Sequence, residues 1–333
     1  MDSQPAIEPP ETQRPLPVWI AEDPASVQLL EIVRKAASQP TTVLILGESG
    51  TGKDQLAHLL HFLGPREHAP LVKIDCASLP ADLLESELFG YEKGAFTGAY
   101  QAKPGRLETA GEGTLVLDEI AALSMALQAK LLRVIEEKTF ERLGGRTSIR
   151  IQARLLALTN VELEQAVARR DFREDLYYRL FVLPLQVPPL RERRGDILPL
   201  AEHFLSERGR EHGVKLSPEV RRALEAYHFP GNVRELRNLL SRALIWSKQP
   251  ELTLEDFPPY VRLAGEATPT VKTLREVEKE HIAAVLQRLR GRKQATAKAL
   301  GISSKTLLEK RRRYGLDAPW TDKLPAGVLR PKE

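Results

Sequence analysis

The sequence predicts an α/β fold: a parallel sheet with helices on both faces, then a small helical subdomain and a C-terminal all-α unit. Three observations carry this. Five short, nearly continuous apolar runs, at 41–47 (TTVLILG), 70–75 (PLVKID), 113–119 (GTLVLDE), 153–160 (ARLLALTN) and 181–187 (FVLPLQV), are separated by helical patterns. Strands without polar alternation are buried on both faces, as in a parallel sheet between helical layers. From 195 to 250 the pattern is helical only, for example PEVRRALEAY and NVRELRNLLSRALIWS, and a last helical unit spans 273–316.

In chain order, residues 1–18 are acidic and Pro-rich and read as a disordered lead-in with no room for a control domain. They lack the basic region and apolar core of a signal peptide. Residues 19–190 hold the sheet, 191–250 the helical subdomain, 251–272 a linker inferred from prolines and small residues, 273–316 the C-terminal unit and 317–333 a tail. With 42% hydrophobic and 28% charged residues, the 333-residue chain can bury a core in more than one domain. A net charge of +4 implies no whole-protein basic field. The single cysteine, Cys76, excludes an intrachain disulfide and fits a reducing compartment. No 18-residue apolar run occurs, so the expectation is a soluble cytoplasmic protein without a membrane span.

The first strand runs straight into Gly47-Glu48-Ser49-Gly50-Thr51-Gly52-Lys53-Asp54, and a helical pattern follows from Gln55 to Phe62. This is a P-loop in its strand-loop-helix setting. Its glycines let backbone N–H groups turn around phosphate oxygens, and the helix N-terminus adds a positive dipole. Lys53 is expected to reach the β- and γ-phosphates of ATP. Asp54 stands where Ser or Thr usually holds Mg²⁺, with Thr51 and a downstream acid pair as compensation. That pair, Asp118-Glu119, ends the strand 113–119 at the carboxyl edge of the sheet. Asp118 is expected to hold Mg²⁺, and Glu119 to orient and deprotonate the attacking water.

The strand 153–160 ends in Thr159-Asn160, a polar tip able to sense the γ-phosphate or the lytic water. Arg173 and Arg179, in FREDLYYR, are either surface ion-pair partners or fingers reaching a neighbouring subunit's nucleotide. Arg234 opens a helix, where the macrodipole disfavours a cation, and so is expected to clamp phosphate. Residues 89–100 read FGYEKGAFTGAY. Two glycines in the six residues Gly94, Ala95, Phe96, Thr97, Gly98 and Ala99 make poor helix or strand, so the run reads as a mobile loop presenting Phe96 and Thr97.

Within 291–315 (GRKQATAKALGISSKTLLEKRRRYG), a helix over 293–300, a turn at Leu300-Gly301-Ile302-Ser303 and a second helix from 304 suggest a helix-turn-helix. Across 290–313 nine Lys or Arg face one acid, Glu309, which favours phosphate contacts on DNA. The amphipathic run 274–289 suits a dimer-forming helix.

GESGTGKD, ESELFGYEKGAFTGA, GTLVLDEI, RLGG, FREDLYYRL, PPLRERRGDI and FPGNVREL together resemble the AAA+ activators of sigma-54 RNA polymerase, the bacterial enhancer-binding proteins, over residues 19–250. The resemblance implies an AAA+ P-loop ATPase that binds upstream enhancer DNA and remodels the closed sigma-54 polymerase complex. It makes Gly94–Ala99 the tip of a loop touching the sigma factor, with Phe96 and Thr97 as contact residues. It implies a homo-oligomer, commonly a hexameric ring with nucleotides between subunits. Arg173 and Arg179 then serve as fingers and Arg234 as a second sensor. The C-terminal unit resembles the DNA-binding end of the same activators, which points Ser304, Lys305, Thr306, Glu309 and Lys310 at the groove.

Departures stand out. The activators usually have Glu at the position of Asp54, Asn at Asp75, in many cases Arg at Ser304, and an N-terminal control domain. Ionised Asp75 cannot donate a restraining hydrogen bond to Glu119, so at neutral pH basal hydrolysis is expected to be poorly gated. The alternative is a proton shared by the two carboxylates that restores the latch at lower pH. A remodeller of some other protein is disfavoured by GAFTGA. A regulator with a vestigial ATPase core is disfavoured by intact Lys53, Asp118, Glu119 and the arginine pair.

Overall fold

The apolar runs become five all-parallel strands: β1 (Val43–Leu46), β2 (Leu71–Asp75), β3 (Thr114–Asp118), β4 (Arg154–Thr159) and β5 (Leu183–Gln186). Their spatial order is β2-β3-β4-β1-β5. The computed structural model describes residues 18–208, 213–247, 249–265, 274–289 and 291–316. Successive residues of each strand face opposite sides. Leu44, Leu115, Leu117 and Ala157 pack on one side, and Val43, Ile45, Val116, Leu156 and Leu158 on the other. The second side is covered by α1 (Pro24–Ala37) and α2 (Lys53–Phe62). The first is covered by α3 (Ala81–Phe89), α4 (Met125–Glu137) and α5 (Glu174–Leu180). The chain leaves β1 toward β2 on one flank and returns from β4 to β5 on the other. The carboxyl ends of β1 and β4 therefore form the switch-point crevice where such sheets bind ligands. Arg154, buried at the opposite end of β4, donates to the carbonyls of Ala36, Ala37 and Leu60 and so pins α1 and α2 to the sheet.

The helical subdomain contains α6 (Ile197–Arg208), α7 (Pro218–Ala226), α8 (Asn232–Trp246) and α9 (Pro259–Gly265). Here the linker expected over 251–272 is corrected. Glu251–Leu252 pairs in parallel with Lys215–Leu216, and Thr253 with Asp256 forms a capping box. Leu252, Phe257 and Val261 are buried in the subdomain core. Proline at the start of α9 marks a helix beginning rather than a linker, because its missing N–H would be unpaired there anyway. The first compact unit runs to Gly265, and the second begins at Glu266. The rest of the expected linker (266–272), nearly all of the lead-in (1–17) and the tail (317–333) lie outside the described residues.

The second unit is a three-helix cluster of α10 (Leu274–Arg288), α11 (Lys293–Ala299) and α12 (Ser304–Tyr314) around Ile282, Leu286, Ala297, Leu307 and Tyr314. Ser303 caps α12 by accepting from the Thr306 N–H at 3.0 Å. Among the described residues no helix is long and apolar enough to cross a membrane.

Candidate nucleotide site and output surfaces

The P-loop leaves β1 at the crevice. Gly47 N–H donates to the Thr159 carbonyl at 3.3 Å, and Gly52 (φ 102°) caps α2. Lys53 opens the helix with its side chain turned back into the loop. Its Nζ donates to the carbonyls of Gly47 (2.8 Å) and Glu48 (3.1 Å). Burial pulls its pKa below the usual lysine value, while Glu119, Asp118 and Asp54 favour the charge. Thr51 is buried, and its hydroxyl donates to the Glu48 carbonyl.

The acid pair closes the crevice from β3. One Asp118 oxygen accepts the Glu119 N–H at 3.0 Å. Glu119 is left-handed (φ 50°, ψ 52°), a conformation that costs a non-glycine residue ~1–3 kcal/mol and that clusters at functional sites. Its carboxylate accepts the Asn160 backbone N–H at 3.4 Å, so β3 and β4 join through these two tips. Asp75 does not pair with Glu119; its carboxylate accepts the Ala77 N–H at 2.9 Å and fixes its own turn. Lys73 Nζ reaches both Asp118 Oδ2 (2.8 Å) and Asp54 Oδ1 (2.5 Å). Burial opposes the Lys73 charge, but the bonds to Asp118 and Asp54 outweigh it and raise the pKa. Two carboxylates thus converge on a single cation, so this oxygen-donor pair fits a hard divalent ion that completes its shell with phosphate and water.

Sequence reasoning missed how the helical subdomain grips the loop. Arg191 donates to both Glu48 oxygens (2.6 and 2.8 Å). With Asn232 it holds the Glu48 carboxyl down at about 2. Fully buried Asn232 donates to Glu48 and to the Ser49 carbonyl, and accepts the Leu190 N–H. Arg234 donates from its side chain to the Ser49 hydroxyl (2.8 Å) and from its backbone to the Gly50 carbonyl (3.2 Å). A Cβ on Gly50 (φ 79°) would lie 2.5 Å from the Gly231 carbonyl oxygen, so only glycine permits this approach. Buried Arg193 donates to the Thr51 carbonyl and lies 5.4 Å from the centre of the Trp19 ring. Asp196 accepts the N–H groups of Glu22 and Asp23 at 2.8 Å each and the Ser26 hydroxyl. The only sequence signal was that PPLRERRGDI and FPGNVREL are crowded with such side chains.

Arg173 pairs with Asp175 (2.7 Å) and Arg179 with Glu136 (2.9 Å). Neither pairs with the P-loop of its own chain, and the Arg179 side chain is 59% exposed.

The GAFTGA run sits on a stalk. After α3, Gly90–Tyr91 pairs antiparallel with Lys103–Pro104, and the loop between them closes on itself through Gly94 N–H to the Ala99 carbonyl at 2.8 Å. Phe96 is 46% exposed, with one edge against Tyr91 (centroids 4.9 Å). Thr97 is exposed. A second loop braces the first: Arg142 donates to Glu92 and Glu108, and Gly144 lies so close to Ala95 that a Cβ there would sit 2.9 Å from the alanine methyl.

On α12, Ser304, Lys305, Leu308, Glu309, Arg312 and Arg313 are exposed. Thr306 is half-buried, with its hydroxyl against Ser303. Lys310 departs from the expected groove-facing set: its Nζ pairs with Glu278 of α10 at 2.5 Å, and the Tyr314 hydroxyl donates to the same carboxylate.

Residues 19–186 match the sigma-54 interaction domain, 191–274 the AAA+ ATPase lid domain and 273–314 the Fis family of bacterial regulatory proteins. The chain is 43% identical to the regulatory protein AtoC of Escherichia coli over 312 residues, which is 90% of this chain and 68% of that protein. It is 42% identical to the Nif-specific regulatory protein of Azotobacter vinelandii, covering 86% of this chain but 57% of that one. Among solved structures, NtrX from Brucella abortus in complex with ATP superposes with a TM-score of 0.67 at 32% identity, over 89% of this chain and 69% of that one.

Proposed function

The chain belongs to the family of sigma-54-dependent transcriptional activators, and on that premise we propose that it is an ATP-driven motor. It binds DNA through α12 and works on the sigma-54 polymerase through the GAFTGA loop. The observation that carries this reading is the placement of Phe96 and Thr97 on an exposed stalk of the same subdomain that holds the P-loop. Lys53 and the P-loop N–H groups bind the phosphates, and Arg234 closes over them from the lid. Asp118, with Asp54, would hold Mg²⁺, which neutralises charge developing on the transferred phosphoryl group. Glu119 orients the water and takes its proton. A homo-oligomeric ring lets Arg179 and Arg173, from the two ends of α5, reach the nucleotide of an adjacent copy.

The test is Thr97→Ala. ATPase and assembly are expected to stay within about twofold of the parent, because the loop tip makes no bond to the nucleotide crevice. Open-complex formation with sigma-54 polymerase in a single-round assay is expected to be lost. Equal loss of both activities would make the loop a structural brace and end the reading of it as an output arm.

A chain cut after Gly265, the end of the first compact unit, is expected to keep its ATPase and lose specific DNA binding in a gel-shift assay. Activation then requires high protein concentration. A truncated chain unable to hydrolyse ATP would show that the second unit belongs to the motor.

A further inference from the structure

We propose that Lys73 is a built-in counter-cation for the two carboxylates at the metal position, and that it competes with the divalent ion for them. The inference rests on the reading of Asp118 as the metal-holding residue. Lys73 extends from β2, an edge strand whose burial alternates, and its neighbours in the ladder bring Asp75 opposite Asp118. Its ammonium joins Asp118 Oδ2 at 2.8 Å and Asp54 Oδ1 at 2.5 Å. The other Asp118 oxygen already accepts the Glu119 N–H, so a metal that binds through Oδ2 meets Lys73 on the same oxygen.

Lys53 adds to the field on these acids, but its Nζ is bonded to the carbonyls of Gly47 and Glu48 and to neither carboxylate, whereas Lys73 touches both. Asp54 is the matching half of the device. A hydroxyl at that position would leave Lys73 only the Asp118 charge, whereas a second carboxylate both raises the pull on any cation and fixes the internal one. Two exposed ion pairs alone would mean little. Here, however, the Asp118 side chain is only 17% exposed and both acids share one ammonium. Without nucleotide, the carboxylates are satisfied from within the chain. With nucleotide, phosphate oxygens supply the additional ligands that let a divalent ion replace Lys73.

The experiment is Mn²⁺ binding, followed by electron paramagnetic resonance of the free ion, to the full chain saturated with ADP. Parent, Lys73→Met, Lys73→Gln and Asp118→Asn are compared, with metal-free ADP affinity confirming that each variant is folded. Lys73→Met and Lys73→Gln are expected to bind Mn²⁺ at least ~10-fold more tightly, the scale on which one adjacent charge shifts a carboxylate's affinity for a cation. Asp118→Asn is expected to bind it at least ~10-fold more weakly. Weakening in Asp118→Asn, with unchanged or weaker binding in both Lys73 variants, overturns the counter-cation alone. Unchanged binding in Asp118→Asn overturns the metal assignment, and the proposal with it.

Discussion

Lys53→Ala is expected to abolish ATP hydrolysis, by at least the ~10³-fold that a single cation contributes to phosphoryl transfer. The Lys53 ammonium is buried and already aimed into the loop by the carbonyls of Gly47 and Glu48, so no search is needed when phosphate arrives. Its neighbours are engaged elsewhere: Arg234 bonds the Ser49 hydroxyl, Arg191 bonds Glu48, Arg193 the Thr51 carbonyl and Lys73 the acids Asp54 and Asp118, so none lies within the loop as Lys53 does. The variant also removes the donor that joins the Gly47 and Glu48 carbonyls, leaving Glu48 with the Thr51 hydroxyl, which disfavours the phosphate-ready loop. Steady-state phosphate release together with ADP binding by calorimetry checks this. Turnover within about tenfold of the parent would remove Lys53 from the catalytic set.

Arg179→Ala is expected to leave nucleotide affinity within about threefold of the parent while ATPase falls ~10³-fold or more, the usual scale for a finger supplied by a partner. The fold should not suffer. The pair with Glu136 is exposed, and such pairs contribute ~0–1 kcal/mol. Mixing with Glu119→Gln separates the geometries. Each variant is inactive alone, but a mixed assembly contains sites with an intact Glu119 and an intact Arg179 from the adjacent copy. Turnover plotted against mixing ratio should rise to a maximum between the pure variants. A flat line would place the action of Arg179 within its own chain.

The strands were legible because burial on both faces leaves apolar runs that no loop would carry, and each forms within one or two residues of its expected limits. The P-loop was legible because its chemistry is contiguous in sequence. The segment 251–265 was not, because prolines and small residues look alike in a linker and at a helix start. Only the buried Leu252, Phe257 and Val261 separate the two cases. The grip of Arg191, Asn232 and Arg193 on the loop was hidden because it joins residues about 140 to 185 positions apart. Lys73 left a fainter trace, a lysine alternating with apolar neighbours in a strand. On α12, sequence spacing could not tell Lys310, drawn inward by Glu278, from Lys305, which stays exposed.

The edge-to-face contact of Phe96 with Tyr91 bears on colloidal behaviour. A protein that must keep an apolar ring ready for a partner carries a sticky point, and assembly multiplies it by the number of copies. Resting the ring on a tyrosine of its own stalk lowers the greasy area each copy shows to solvent and leaves enough uncovered for a partner to find. Replacing Tyr91 by a small residue would free the ring, and the cost would appear first as self-association in concentrated solution.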